Sequence, residues 1–294
     1  MAAIADLYAA YSTIVLFAGV AALLALSIYV TLMAGQLSLG NAALAAIGGY
    51  TAAILTKTYH APLWPALLAG ALLATSVAFL IGIPCLRLRG IYLALATLAF
   101  GEVVRVAALN LRITGGALGL VGIAPLVSFP EVYGTLAVAA FFFYRLERSR
   151  TGRAFAAIRE DEAAAQAMGI RVTAYKVLAF SIAGFIAGLA GGLAVHFTYL
   201  INPAQAAFGE AVTILTYAVF GGTATFAGPI LGGVALTVLP EALRFLKGYR
   251  LLLDGAILVL VTTYLPNGVL DPLLRRRPPR AAAPPGGMRR RRRA

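Results

Sequence analysis

Apolar residues run along this chain in long blocks that no charge interrupts. Residues 7–56, 58–86, 177–209 and 211–240 contain no Asp, Glu, Lys or Arg. A helix needs roughly 20 apolar residues to cross the hydrocarbon core of a bilayer, so these blocks hold several crossings. The runs are continuous and rich in Leu, Ala and Gly, whereas barrel strands would alternate over segments of about 10 residues. Splitting the runs at Gly, Pro and charged positions predicts spans near 12–33, 42–56, 64–85, 91–109, 133–145, 177–197, 207–221, 228–246 and 251–266. The expected fold class is therefore an all-α, polytopic transmembrane bundle of about eight to ten spans. The fifth and seventh runs are short enough to be tilted, broken or re-entrant, a form of backbone tolerated at depth only against protein or a water-filled cavity.

Composition agrees with the pattern. Of 294 residues, 61% are hydrophobic and 12% charged, against about 25% charged in a soluble domain. An ordinary cytosolic enzyme is excluded. The net charge of +13 would suggest nucleic acid, but nine of the 24 basic residues lie in the last twenty positions. That local basicity reads as a topology signal or a contact with anionic lipid, and no nucleic-acid partner is expected. The domain division is a transmembrane region over 1–270 and a basic tail over 271–294, whose Pro, Gly, Ala and Arg cannot bury a core. Placing 145–176 in the cytoplasm puts 18 basic residues inside and four outside, so the N-terminus is expected outside and the C-terminus inside. The first apolar run is longer than a signal-peptide core and is expected to be a retained helix. Cys85 is the single cysteine, which rules out an internal disulfide or a Cys cluster. The Gly-x4-Gly-Lys-[Ser/Thr] phosphate loop is missing from the sequence, so this chain is not an ATPase by that route. No catalytic residue, metal or cofactor is expected. His60 and His196 have no metal-ligand partner at useful spacing, and positions at the membrane interface explain them.

Polar side chains within the runs are the candidates for a substrate pathway. Glu102 lies deep in the fourth span, where a charge costs about 2.5–3.5 kcal/mol on insertion scales. Arg105 follows at i+3, so the two are expected either to form a local ion pair facing the bundle interior or to line the pathway. Gln36, Ser38 and Asn41 fall in a Gly-flanked break between the first two spans and could line a cavity or cap a helix. Thr97 joins them, with Glu210, Thr213 and Thr216 as weaker candidates. The spacing Gly184-x3-Gly188-x2-Gly191-Gly192 reads as a face that another helix approaches closely.

Residues 145–176 form the one long polar loop, with seven basic and four acidic side chains. Its Ala-rich stretch over 154–168 favours helix, with Glu160, Asp161 and Glu162 in mid-helix and Gly169 as the C-cap. Phe155, Ile158 and Met168 give it an apolar edge. Such a helix could dock into a groove on a soluble partner, or it could be solvated or lie on headgroups.

Ser149-Arg150-Thr151-Gly152-Arg153-Ala154, followed by Ile158-Arg159-Glu160-Asp161-Glu162-Ala163-Ala164-Ala165-Gln166-Ala167-Met168-Gly169-Ile170, resembles the coupling loop of ABC-importer permeases in its branched-chain amino acid form. The resemblance extends through Gly35-Gln36-Leu37-Ser38-Leu39-Gly40-Asn41-Ala42, the Leu88-to-Glu102 block, Ile113-Thr114-Gly115-Gly116, Gly221-Gly222, Gly228-Pro229, Leu239-Pro240-Glu241 and Pro266-Asn267-Gly268. Order and spacing are similar to the M-type permease subunit over nearly all of 12–270. In the general motif Glu-Ala-Ala-x3-Gly, Gly169 aligns Ala163-Ala164-Ala165 with the triplet, so Ala stands at the Glu position and Glu162 lies one residue early. The resemblance implies a bacterial inner-membrane permease that forms half of a translocation pathway for branched-chain amino acids. It implies a second, H-type permease subunit, two ABC ATPase subunits and an extracytoplasmic binding protein as partners. It assigns ATPase coupling to Arg159, Glu160, Asp161, Glu162, Ala163, Ala164, Ala165 and Gly169. A urea or short-amide permease shares these motifs, and an ion-coupled carrier with Glu102 or Glu210 as relay is the alternative from another class.

Overall fold

A computed structural model describes residues 2–88 and 90–242, with side chains described over 13–88 and 90–239. The ninth expected span, the far end of the eighth and the basic tail lie outside the described residues. The helices are α1 (Ala2–Met33), α2 (Asn41–Tyr59), α3 (Leu63–Cys85), α4 (Ile91–Asn110), α5 (Phe129–Arg148), α6 (Arg150–Glu160), α7 (Glu162–Ala167), α8 (Val172–Thr198), α9 (Phe208–Gly221) and α10 (Ala227–Ala242). Two-residue strands β1 (Leu120–Val121) and β2 (Leu200–Ile201) pair antiparallel, Leu120 opposite Ile201. The all-α membrane bundle expected from the charge-free runs is what the chain forms.

Among the described residues, four helices are long and apolar enough by themselves to cross a bilayer: residues Thr13–Met33 of α1, then α3, α4 and α8. The seventh run is a short helix, α9, of 14 residues, and α10 is also a short apolar helix over its described side chains. A helix rises 1.5 Å per residue, so α9 spans about 21 Å. The 19-residue α2 carries Asn41, Thr51 and Thr56 along its length. It tolerates them because it is enclosed by protein on most sides, where hydroxyls and amides find partners that lipid cannot offer.

The centre of the bundle is α2, α3 and α8 in close contact. A Cβ on Gly48 would run into the backbone of Gly188, and one on Gly188 would stand 2.9 Å from Ala71 Cα. Glycine at both positions lets three helix backbones nearly touch, which replaces the missing hydrophobic drive with dispersion contacts. The small-residue face expected on the sixth run is thus a packing face. Around this trio, α1 buries Leu23, Leu26, Tyr29 and Val30 against α5 and α8 residues including Phe143, Ala183 and Leu193.

The chain order fixes two faces. One carries α6, α7, the C-terminal end of α5 and the start of α8. The other carries the β1–β2 pair, the end of α8 and the single-turn 3-10 helix Pro203–Ala206 that leads into α9. On that second face Lys57 Nζ donates to Val121 O at 2.6 Å.

Candidate functional site

The polar segment is built differently from the expected single helix. Asp161 is extended, at φ −156° and ψ 113°, and its carboxylate accepts from the Ala163 and Ala164 N–H groups. Ala-rich propensity would continue the helix, but an Asp side chain that caps two orphan N–H groups starts a new one. Glu160, Asp161 and Glu162 therefore do not sit in mid-helix: Glu160 ends α6, Asp161 is the joint and Glu162 opens α7. Ser149 begins α6 in the same manner, accepting from Gly152 N at 3.1 Å. Gly169 takes φ 83° just after α7, the left-handed C-cap conformation expected of it.

The apolar edge also faces the other way from the expected docking edge. Phe155 and Ile158 are fully buried against this chain's own bundle, Phe155 meeting the Tyr175 ring edge-on at 6.1 Å. Packing α6 onto the bundle uses its apolar side, and what it leaves outward is small or charged: Arg153, Arg159 and Glu160, then Ala163, Ala164, Gln166 and Ala167 of α7. Met168 stays 84% exposed and Ala165 is buried. Glu162 pairs with Lys176, a nearly buried cation on α8, and so straps α7 to the next helix.

Arg159 reaches across the chain. Its guanidinium donates to Thr223 O at 3.3 Å and to Thr223 Oγ1 at 3.2 Å, in the turn between α9 and α10. Its backbone lies against the break between α1 and α2, where a Cβ on Gly35 would be 3.0 Å from Arg159 Cα. Next to it, Glu147 Oε1 accepts from Tyr29 OH of α1 at 2.7 Å and from the Phe226 N–H at 2.6 Å. Tyr144 packs edge-on against Phe226 at 6.2 Å, and the Arg148 guanidinium stacks 4.2 Å from the Tyr144 ring centre. The polar segment is thus latched to α1 and to the α9–α10 turn. Glu147, Thr223, Phe226 and Lys176 were not among the sequence candidates.

The break over residues 35–40 is a buried polar knot. Thr97, fully buried on α4, accepts from Leu39 N–H at 2.9 Å. Ser38 Oγ accepts from Gly40 N–H, and Asn41 Nδ2 donates to Ser27 Oγ at 3.0 Å. Gln36 is buried with neither amide atom hydrogen-bonded, and Asn41 Oδ1 is likewise unpaired. Four of the pathway candidates therefore gather at one place, joining α1, α2 and α4. Glu102 does not join them. It pairs with Arg105 at 2.7 Å, but the two side chains are 40% and 36% exposed, so the pair faces outward over a shallow hollow shared with Asn202, Pro203 and Phe208, and not into the bundle interior. His196 also departs from expectation: it is fully buried, 2.9 Å from Thr56 Oγ1 and 2.7 Å from Gly192 O, a link between α8 and α2 and not an interfacial side chain. His60 is the exposed left-handed C-cap of α2.

Toward the face opposite α6 and α7, a cavity of about 610 Å³ opens between α1, α2, α8, α9 and α10. Phe17, Leu24, Ile214 and Leu236 line it with Thr198, Gln205, Glu210 and Thr213. Two of the weaker candidates, Glu210 and Thr213, are in this lining.

The family model described as branched-chain amino acid transport system / permease component matches residues 10–262. The chain is 34% identical, over 83% of its own length and 65% of the relative's, to the high-affinity branched-chain amino acid transport system permease protein LivM of Salmonella typhimurium. It is 35% identical over 46% of its length and 43% of the relative's to LivH of the same organism. The ribose import permease protein RbsC of Escherichia coli is 28% identical over 46% of this chain and 44% of that protein. The chain thus spans 65% of the length of the LivM relatives it matches, and no solved structure matches it.

Proposed function

The chain belongs to the family of branched-chain amino acid transport permease components, and on that premise we propose that it is the membrane-spanning permease subunit of an ATP-driven importer of hydrophobic amino acids. It forms half of the pathway beside a second, homologous permease. Separate ATPase subunits dock on α6 and α7, and an extracytoplasmic binding protein delivers cargo at the opposite face. The N-terminus is outside and the loop over 145–176 is in the cytoplasm of a bacterial inner membrane, with 1–270 as the permease domain.

The observation that carries this reading is the latch. α6 and α7 present a face of small residues to the outside and tie, through Arg159 and Glu147, to Thr223 and Phe226 at the α9–α10 turn. A groove that moves with ATP would grip the Ala163, Ala164 and Ala167 face. The hydrogen bonds would then pass that motion to helices lining the cavity. Glu160 and Asp161 serve this arrangement as helix end and cap, Glu162 as the strap to Lys176 and Gly169 as the turn back into the bundle. Gln36, Ser38, Asn41 and Thr97 gather at the break between α1 and α2, whose Gly35 backbone meets α6 at Arg159. Glu102 has no part in it.

The test is Ala164→Trp and Gly169→Val in the complete complex. The first fills the docking groove; the second puts a β-branched residue at φ 83°, a conformation that costs about 1–3 kcal/mol without glycine. Both should insert in the membrane. Loss of ATPase copurification or of ATP-driven uptake supports the assignment, and parent-like assembly and transport in both would refute it.

A further inference from the structure

We infer that the cavity between α1, α2, α8, α9 and α10 is a recognition site for the α-ammonium group of an amino acid, with Glu210 as its counter-ion. The choice of an amino acid as ligand rests on the importer reading; the site itself rests on charge and shape.

Among the described residues Glu210 is the only ionisable acid or base in the lining, apart from a tyrosine hydroxyl. Among the described residues no cation or hydrogen-bond donor engages its carboxylate, and the side chain is exposed in the first turn of α9, open to a cationic group that enters the cavity. A cationic group of the cargo is the natural partner. The rest of the wall mixes hydroxyl and amide groups with apolar side chains, of which Phe17, Leu24, Ile214 and Leu236 offer dispersion contacts suited to a branched aliphatic side chain, and about 610 Å³ leaves ample room for one. Thr213 spends its proton on Gly209 O at 2.9 Å, so its oxygen can still accept from the ammonium group beside Glu210, one helical turn away. Among the described residues the lining holds no Lys, Arg or His, so the cargo carboxylate receives only neutral donors such as the Gln205 amide. Recognition is therefore lopsided, with the ammonium required and the carboxylate dispensable.

That asymmetry is the test. In the full chain carrying Thr198→Cys, a lining position given no contact with the cargo, and Cys85→Ser, the rate of thiol labelling in membranes is measured against L-leucine, L-leucinamide and 4-methylpentanoate. Leucine and leucinamide should protect the new cysteine and 4-methylpentanoate should not. Adding Glu210→Gln should raise the protecting concentration about tenfold or more, the loss of one charge-assisted bond, and Glu210→Asp should restore part of it. The inference is overturned if no compound protects, if 4-methylpentanoate protects as well as leucinamide, or if Glu210→Gln leaves protection unchanged. The first two outcomes need no Glu210 variant, so misfolding of that variant cannot rescue the idea. ATP-driven leucine uptake in the parent with parent-like protection in Glu210→Gln would sink this site and leave the importer reading standing. Ammonium-dependent protection in a chain that never copurifies with ATPase would do the reverse.

Discussion

Glu147 is the most economical place to cut the latch. One carboxylate oxygen accepts from Tyr29 OH at 2.7 Å and from the Phe226 N–H at 2.6 Å, so Glu147→Ala removes two links among α1, α5 and the start of α10. Hydrogen bonds to a charged group contribute about 1.5–3 kcal/mol each. Glu147 is half-buried, so water recovers part of that and the low end applies, about 3 kcal/mol for the two. At 1.4 kcal/mol per factor of ten, the balance between latched and released turns shifts about a hundredfold. On the proposed docking, ATPase subunits would hold α6 and α7 and not Glu147, so assembly and ATP hydrolysis should persist while substrate movement fails to follow. The assay is uptake per ATP hydrolysed in the reconstituted complex. Glu147→Ala should lower that ratio at least about tenfold, and Glu147→Gln, which keeps an acceptor oxygen without the charge, should fall between. A ratio within about twofold of the parent in an assembled Glu147→Ala complex would show that the contact transmits nothing, since even about 1.4 kcal/mol of coupling is a factor of ten.

Other consequences can be checked directly. Glu162→Ala leaves Lys176 buried without its partner; α7 should show faster amide exchange and the chain should lose about 1–3 kcal/mol, with Glu162→Ala/Lys176→Met recovering most of it. Gly188→Ala drives a methyl toward Ala71 Cα at 2.9 Å and should cost about 1–3 kcal/mol in thermal melts, while Gly188→Leu should prevent folding. For topology, an impermeant thiol reagent should label Leu118→Cys, a position 86% exposed, from outside the cell, and Ala164→Cys only in inverted vesicles. The reverse pattern would invert the orientation.

What was legible in the sequence is what short-range chemistry decides. Charge-free runs gave the bundle because lipid admits few charges whatever the partners. The glycine spacing on α8 gave a close-packed face, and Gly169 gave a cap, since each depends on one residue's own backbone or size. The misreadings arose where a second residue, far along the chain, decides. Nothing near His196 signals depth, because its partner Thr56 is 140 residues away. The edge of α6 is amphipathic from sequence alone, yet only the fold shows that Tyr175 and the bundle cover it. Asp161 could have been read correctly: an Asp followed by three residues with free N–H groups is a cap signal that competes with Ala propensity. Glu147 offered a weaker cue, a carboxylate at the end of an apolar run between arginines, but its acceptors' partners lie 118 and 79 residues away.

The two halves of the proposed site meet on one element. α9 carries Glu210 in its first turn and Gly221 at its last residue, so the ammonium site and the latched turn are the opposite ends of a rod about 21 Å long. A helix is stiff along its axis because every residue adds a hydrogen bond, whereas its ends are free to pivot. Here both ends are jointed: a 3-10 turn precedes it at Pro203–Ala206, and Gly222 at φ 91° follows it. A pull on Thr223 through Arg159 therefore tilts or shifts α9 as a unit instead of bending it. Ile214 and Ala218, buried on its flank against α1 and α2, set the direction in which it can slide. Moving Glu210 by even one or two ångströms away from the apolar wall would break the simultaneous fit of ammonium and side chain, so the same displacement that opens the turn also weakens the hold on cargo. On the proposed importer reading, ATP-driven motion would then need no separate release step.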